Sequence, residues 1–288
     1  MINFESSKII INIDMYRGFQ LDLGKDDFKD ISTLECENIE KKWCVFNEFN
    51  KKKVKEAIDE CFLSDGSIDG SKMKENWFPQ IQADIFISHS HQDKALAYDL
   101  SKWMYLIFDL KVFIDSDIWG YYKDLKDKML KIYYRDSTPE KYNELEDFVS
   151  AHVHMMLSVA LNQMIDNTEC LFFLNTPNSL SINVPIVGTT SSPWIYSEIA
   201  TSRLLRKRTP QRLDQNRSES TRSPRVYLRG PTNSVGPSIR HEMSIDHLMK
   251  IDSNILREWK DQWIECGRTC PCHPLDSLYF FSLSLRHE

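Results

Sequence analysis

The chain has 288 residues, of which 41% are hydrophobic and 27% are charged, and its formal net charge is −6. These values are ordinary for a globular protein, and the length allows one large domain or two modest ones. The acidic balance disfavours a protein whose only role is to bind nucleic acid, because such proteins are more often basic overall.

The sequence indicates neither a membrane nor an oxidising compartment. No apolar run approaches the roughly 18 residues that are needed to span a membrane, so we expect no membrane partner. The odd number of seven Cys suits a reducing cytosol better than a disulfide scaffold. We therefore expect a cytoplasmic protein.

Residues 1–80 are predicted to form a small N-terminal accessory unit. Ile9 to Ile13 is a candidate strand, and the apolar residues between Ile39 and Phe62 predict a helix or a helical hairpin. The turn-rich stretch from Asp65 to Ser71 then ends the unit. Residues 81–288 are expected to form the main domain.

The main domain begins with a strand, a helix and a second strand. The apolar run from Ala83 to Ser90 reads as a buried strand that ends on small polar residues and His. A helical apolar face follows between Leu96 and Ile107, and Leu110 to Asp115 is a strand that ends on an acid. This βαβ order predicts a parallel sheet, and ligands of such sheets bind outside the carboxyl ends of the strands.

The later elements continue the α/β pattern. An aromatic loop, Trp119 to Tyr122, precedes a charged stretch, and the sequence then predicts a helix, a third strand, two later strands and a final helix. In chain order these elements are expected over residues 153–164, 170–175, 225–228, 244–251 and 254–264.

Glu198 is the sharpest candidate for chemistry. It lies on a predicted helix that begins at Ser192, a good N-cap, and Pro193, which suits the first helical position. Trp194 and Glu198 are four residues apart and therefore share a helix face, where an apolar neighbour raises the pKa of a carboxyl group. The alternative is a solvated surface glutamate.

Two other features have simpler interpretations. Residues 203–240 carry nine Arg and one Lys against two acids, and the Arg/Ser/Pro-rich part at 206–224 is expected to be a mobile, solvated loop rather than a phosphate or nucleic-acid site. Cys266, Cys270, Cys272 and His273 do not show the paired spacing of a zinc site. We therefore expect these cysteines to be thiols that bind no metal.

Three motifs in register resemble the Toll/interleukin-1 receptor (TIR) domain family. They are Asp84 to Ser90, Val112 to Asp115, and Ser192 to Glu198 with its W-x-x-x-E spacing. The resemblance covers about residues 83–264 and is greatest to bacterial TIR proteins, including those of Thoeris-type antiphage systems. The stretch between Tyr122 and Ser150 is longer than the family's usual connection.

The resemblance implies a flavodoxin-like parallel sheet flanked by helices and, in catalytic members, cleavage of the nicotinamide–ribose bond of NAD. NAD is then the substrate and no cofactor is implied. The family's essential glutamate matches Glu198. Its substrate-binding positions match Asp115, the residues after the first strand and the loop that begins at Trp119. The full set of expected substrate-binding residues is Phe86, Ser88, His89, Ser90, Asp115, Trp119, Tyr121 and Trp194.

The chemistry of glycosidic bond cleavage suits these residue types. Positive charge develops on the ribose, which a carboxylate such as Glu198 stabilises, while an exposed loop ring such as Trp119 can stack on a flat base. The resemblance also implies self-association and an ADP-ribose-derived signal for a partner effector. Two other functions stay open, a non-catalytic TIR adaptor that acts by association and a nucleoside deoxyribosyltransferase.

Overall fold

A computed structural model describes most of the chain, namely residues 17–23, 37–54, 58–119, 122–133, 139–182, 188–205, 240–266 and 273–284. Three sequence predictions lie outside these residues: the strand at 9–13, the loop at 206–224 and the strand at 225–228.

The described residues form eight strands and nine α-helices. The strands are β1 (Arg17–Asp22), β2 (Ile85–Ser88), β3 (Val112–Phe113), β4 (Cys170–Leu174), β5 (Ser181–Ile182), β6 (Gly188–Thr190), β7 (His241–Met243) and β8 (Met249–Asp252). The helices are α1 (Glu37–Lys51), α2 (Gly70–Trp77), α3 (Lys94–Phe108), α4 (Asp115–Ile118), α5 (Tyr122–Tyr133), α6 (Pro139–Asn167), α7 (Pro193–Leu204), α8 (Ser253–Glu265) and α9 (Pro274–Ser284).

Five of these strands form a parallel sheet in the order β3-β2-β4-β1-β8. This arrangement confirms the predicted α/β class with a parallel sheet flanked by helices. The helix boundaries are set by local chemistry: Asp252 caps α8 by accepting from two backbone amides, and Asp109 ends α3 in the left-handed conformation, with φ of 57°.

The sheet separates two hydrophobic layers, because successive side chains of a strand point to opposite faces. Phe86 and Phe173 belong to one buried cluster, which α2, α5, α6 and α7 cover. Ile87 and Phe172 belong to the other cluster, which α3, α8 and α9 cover. Alternate residues along β2 therefore pack against different helix layers.

The N-terminal region does not form a separate unit among the described residues. Strand β1 lies inside the sheet, paired in parallel with β4 on one side and β8 on the other. Its Phe19 and Leu21 are fully buried in the same cluster as Ile87. The predicted boundary after residue 80 is therefore wrong, because β1 gains its hydrogen bonds and its burial from strands of the main domain.

One helix in the described part of the chain is long and apolar enough to cross a membrane by length and composition alone. It covers Lys141–Asn167 of α6, with a mean hydropathy of 1.2, and 56% of its apolar window is buried inside the protein. The core helix of a soluble protein passes the same test, and Val153 and Leu161 of α6 lie in the core. Its burial is consistent with a soluble protein.

A small antiparallel sheet, β5-β6-β7, fixes the start of α7. Strand β6 ends at Thr190, whose hydroxyl accepts a hydrogen bond from the backbone amide of Ser192. The Ser192 hydroxyl in turn accepts from the backbone amide of Ile195, and Pro193 opens the helix. This confirms the predicted helix start, and it places Glu198 in the second turn.

Candidate active site at the carboxyl end of the parallel sheet

The carboxyl end of β2 meets α7 at a buried contact between Ser88 and Glu198. The Ser88 hydroxyl donates to Oε2 of Glu198 over 2.6 Å. Ser88 is 1% exposed and Glu198 is 4% exposed, so the interpretation of Glu198 as a solvated surface residue is wrong. Ser88 shares the β2 face of Phe86, which points to the helix layer that contains α7.

The surroundings of Glu198 favour its protonated form. Burial is the largest cause, and the nearby negative charge of Asp115 adds to it, so the pKa of Glu198 lies well above its ordinary value of 4.5. The hydrogen bond from Ser88 favours the ionised form and opposes this rise. Asp115 is half-buried at the start of α4, directly after β3.

Two carboxyl groups and a hydroxyl therefore converge from α7, β2 and the end of β3. An isolated buried carboxyl is costly to ionise, so its charge is most favourable when a positive charge develops beside it. Such a group can hold a proton at a higher pH than an ordinary glutamate, or stabilise a cationic transition state when it is ionised.

His89 lies on the opposite side of the same strand end. Its Nε2 is 3.0 Å from the hydroxyl of Ser116, and its Nδ1 is 3.4 Å from the carbonyl oxygen of Ile87. The Lys94 ammonium donates to the carbonyl oxygen of Ser116 over 2.8 Å. These contacts tie the segment after β2 to the segment after β3, and sequence reasoning missed Ser116 as the partner.

Ser90 has a structural contact. Its hydroxyl accepts from the backbone amide of Gln92 at the start of a short 3-10 helix, His91–Asp93. Asp93 then binds the loop after β4, accepting from the hydroxyl of Thr176 at 2.5 Å and from the side-chain amide of Asn178 at 2.8 Å. In the sequence, the turn-forming run Thr176-Pro177-Asn178 after β4 could have indicated this contact.

Two of the expected substrate-binding residues belong to the core. Phe86 is fully buried against Phe113, with ring centroids 5.5 Å apart. Trp119 is 4% exposed, packs against Phe113 and Phe78, and donates its indole N–H to the carbonyl oxygen of Pro79. The expectation that Trp119 is exposed in a loop is therefore wrong, because Phe78 and Phe113 close over it.

Trp194 has a different environment. It is half-buried, and its ring lies 6.0 Å from that of Tyr122 and 5.8 Å from that of His154. The rings of Tyr122 and His154 are 5.0 Å apart. These three residues are called the aromatic triad below. Sequence reasoning missed Tyr122 and His154, and Tyr121 lies outside the described residues.

The described residues include no group of three or more His, Cys, Asp or Glu that could hold a metal ion. Of the C-terminal cysteine cluster, Cys270 and Cys272 lie outside the described residues. The prediction that this cluster binds no metal therefore stays a prediction.

Comparisons of the chain with models of known protein families, with curated proteins and with solved structures found no match.

Proposed function

We propose that this protein cleaves the nicotinamide–ribose bond of NAD, with Glu198 as the catalytic carboxylate. The observation that carries the proposal is the buried Ser88–Glu198 contact at the carboxyl end of β2, beside Asp115. Ligands of parallel α/β sheets bind outside this edge, and a carboxyl group with a raised pKa in such a place is a candidate for catalysis.

The bond cleavage balances with water alone. Nicotinamide leaves with the electron pair of the carbon–nitrogen bond and is released as a neutral molecule, while positive charge develops on the ribose. Ionised Glu198 stabilises that charge, as the carboxylates of glycoside hydrolases do. Water then adds its oxygen to the ribose carbon and releases one proton to solvent, which gives ADP-ribose. An internal nucleophile in place of water would give a cyclic product.

The resemblance to bacterial TIR proteins supports the wider proposal. In that setting the chain acts in the cytoplasm during antiphage defence, and its ADP-ribose-derived product activates a partner effector. NAD is the substrate, and we propose neither a cofactor nor a metal. Self-association through the segment that follows Trp119, which contains Tyr121, would complete or regulate the site.

Incubation of the purified protein with NAD, and separately with deoxynucleosides, tests the chemistry. We expect nicotinamide release from NAD, identified together with its partner product by mass spectrometry. Glu198→Gln should reduce the rate by about 10²–10⁴-fold. The matched control is Glu258→Gln, the same change at an exposed position of α8 on the other side of the sheet, which should keep the activity.

Other results would contradict part or all of this proposal. Base exchange between deoxynucleosides without NAD cleavage would identify a deoxyribosyltransferase and overturn the proposal. Turnover of neither substrate, at any protein concentration, would favour an adaptor that acts by association. Wild-type turnover by Glu198→Gln would exclude Glu198 as the catalytic group.

The role of self-association is tested by enzyme concentration. Specific activity should rise between nanomolar and tens of micromolar protein, and Tyr121→Asp should remove the rise. Constant turnover per molecule over this range would mean that one chain contains the complete site.

A further inference from the structure

The aromatic triad brings together rings from three separate helices. Tyr122 is the first residue of α5, His154 lies within α6, and Trp194 lies in the first turn of α7. All three side chains are half-buried, whereas Phe86 and Phe113 on the neighbouring strands are fully covered. Each residue of this ring cluster therefore keeps part of its surface accessible to solvent.

The triad lies beside the proposed site. Trp194 precedes Glu198 by one helical turn and shares its face of α7. Helix α6 runs directly into β4, and its residues from His154 to Asn167 rise by about 20 Å. From Cys170 to Leu174, β4 rises by about 14 Å in the opposite direction, so His154 lies slightly beyond the carboxyl end of that strand.

A partly exposed cluster of aromatic rings is suited to a flat cation. Tryptophan and tyrosine faces carry a negative quadrupole and attract a cation that lies over them. Burial, and then the charge of Lys126, lower the pKa of His154 below its ordinary value of 6.5, which keeps the imidazole uncharged near neutral pH. The Lys126 ammonium is itself paired with Glu146 over 2.6 Å.

We propose that Tyr122, His154 and Trp194 form the subsite for the cationic pyridinium ring of NAD, with Tyr122 and His154 supplied by the helices between β3 and β4. This inference rests on the proposed function. It gives α5 and α6, the two longer helices between β3 and β4, a role in the choice of leaving group. Neutral nicotinamide, once released, loses the attraction that held the ring in the triad.

The test compares two probes that differ in charge and hardly in shape, 1-methylnicotinamide, which is a cation, and nicotinamide, which is neutral. Binding of each to the full chain is measured by calorimetry or by ligand-detected NMR. We expect the cation to bind about 5–10-fold more tightly, in line with attraction to partly desolvated rings. Equal affinity, or binding of neither probe at millimolar concentration, would overturn the subsite.

Variants assign the preference to the triad. His154→Leu and Tyr122→Leu keep apolar volume and should remove the preference for the cation. His154→Phe and Tyr122→Phe keep the ring and should retain it. The matched control is His152→Leu, at an exposed position of α6 two residues from His154, which should leave both affinities unchanged. A preference that survives both leucine variants would place the cation elsewhere.

Probe binding and NAD turnover separate this inference from the proposed function. Cleavage of NAD without a preference for the cation would retain the function and reject the subsite. A preference that depends on the triad without NAD cleavage would retain the subsite and reject the proposed reaction. The comparison of the two probes on the unmodified chain decides the matter even where a leucine variant fails to fold.

Discussion

Trp119 and Trp194 both follow strands that end near the proposed site, yet their surroundings differ. Trp119 is 4% exposed, with Phe78 and Phe113 against its ring and its N–H bonded to the carbonyl oxygen of Pro79. Trp194 is half-buried and contacts two rings that are themselves half-buried. The first cluster is part of the core, and the second consists of residues that remain partly exposed at the edge of the core.

The difference shows that the residue type and its neighbours in sequence did not determine the environment of these tryptophans. Trp119 precedes a glycine in a segment that was expected to be a loop, which favoured a ligand-stacking role. The structure instead places Trp119 directly after the short helix α4, whose Ile118 is also buried in the core. A ring that packs on all sides stabilises the fold, whereas a ring with an open face remains available to a ligand.

The largest expected effect is the loss of stability in Trp119→Ala. Truncation of a buried tryptophan costs about 3–5 kcal/mol of the free energy of unfolding, because it leaves a cavity and unpairs the carbonyl oxygen of Pro79. Trp194→Ala should cost only about 1–2 kcal/mol, since its side chain is half-buried. Urea denaturation of both variants measures the difference. Equal losses would mean that the two clusters do not differ as described.

Local sequence predicted the elements better than it predicted their partners. The strand ending at Ser88, the strand ending at Leu174 and the capped start of α7 were all predictable, because apolar runs and capping residues act over a few positions. The place of β1 was not predictable in this way. Phe19 pairs with Phe172 across about half the chain, and nothing in its own six-residue strand specifies that partner.

The same distinction between local sequence and long-range packing applies to the candidate site. Glu198 and Ser88 were identified from a helix spacing and a strand end, and their direct hydrogen bond is new information from the structure. Tyr122 and His154 could not be identified, because their contact with Trp194 depends on how α5 and α6 pack against α7. Residues that meet only through helix packing carry no local signature.

The next effect is a pH-dependent gain of stability in Glu198→Gln. Above the ordinary pKa of 4.5 the unfolded chain has released the glutamate proton, whereas the folded protein retains it up to the raised pKa. The stability of the wild type therefore falls as pH rises through this window, and the glutamine variant avoids that loss. Its melting temperature relative to the wild type should rise with pH.

Thermal denaturation from about pH 4 to about pH 8 measures this difference. Glu258→Gln, at an exposed position, should show a small difference that does not vary in the same way. If the difference between Glu198→Gln and the wild type is constant with pH, or shrinks as pH rises, then burial does not raise the pKa of Glu198.

A smaller effect concerns Asp115 and Ser88, which shift the pKa of Glu198 in opposite directions. Asp115→Asn removes a negative charge and should lower the pKa of Glu198, whereas Ser88→Ala removes a hydrogen bond to the ionised form and should raise it. If the ionised carboxylate is the active form, the acidic limb of kcat/KM moves to lower pH in the first variant and to higher pH in the second. Limbs that move in the same direction would contradict this arrangement of charges.

The smallest expected effect lies beside the aromatic triad, in Lys126→Gln. Burial is the main reason that the pKa of His154 is low and the Lys126 charge is the second, so removing the charge should raise that pKa only part of the way towards 6.5. The lost ion pair with Glu146 should cost about 1 kcal/mol or less, because both side chains are partly accessible to solvent. NMR titration of the imidazole measures the shift, and Lys131→Gln, at an exposed position of α5, should leave it unchanged. A pKa that stays constant or falls in Lys126→Gln would place the ammonium too far from His154 to act on it. A rise would mean that this lysine helps to keep the imidazole uncharged, as a subsite for a cationic ring requires.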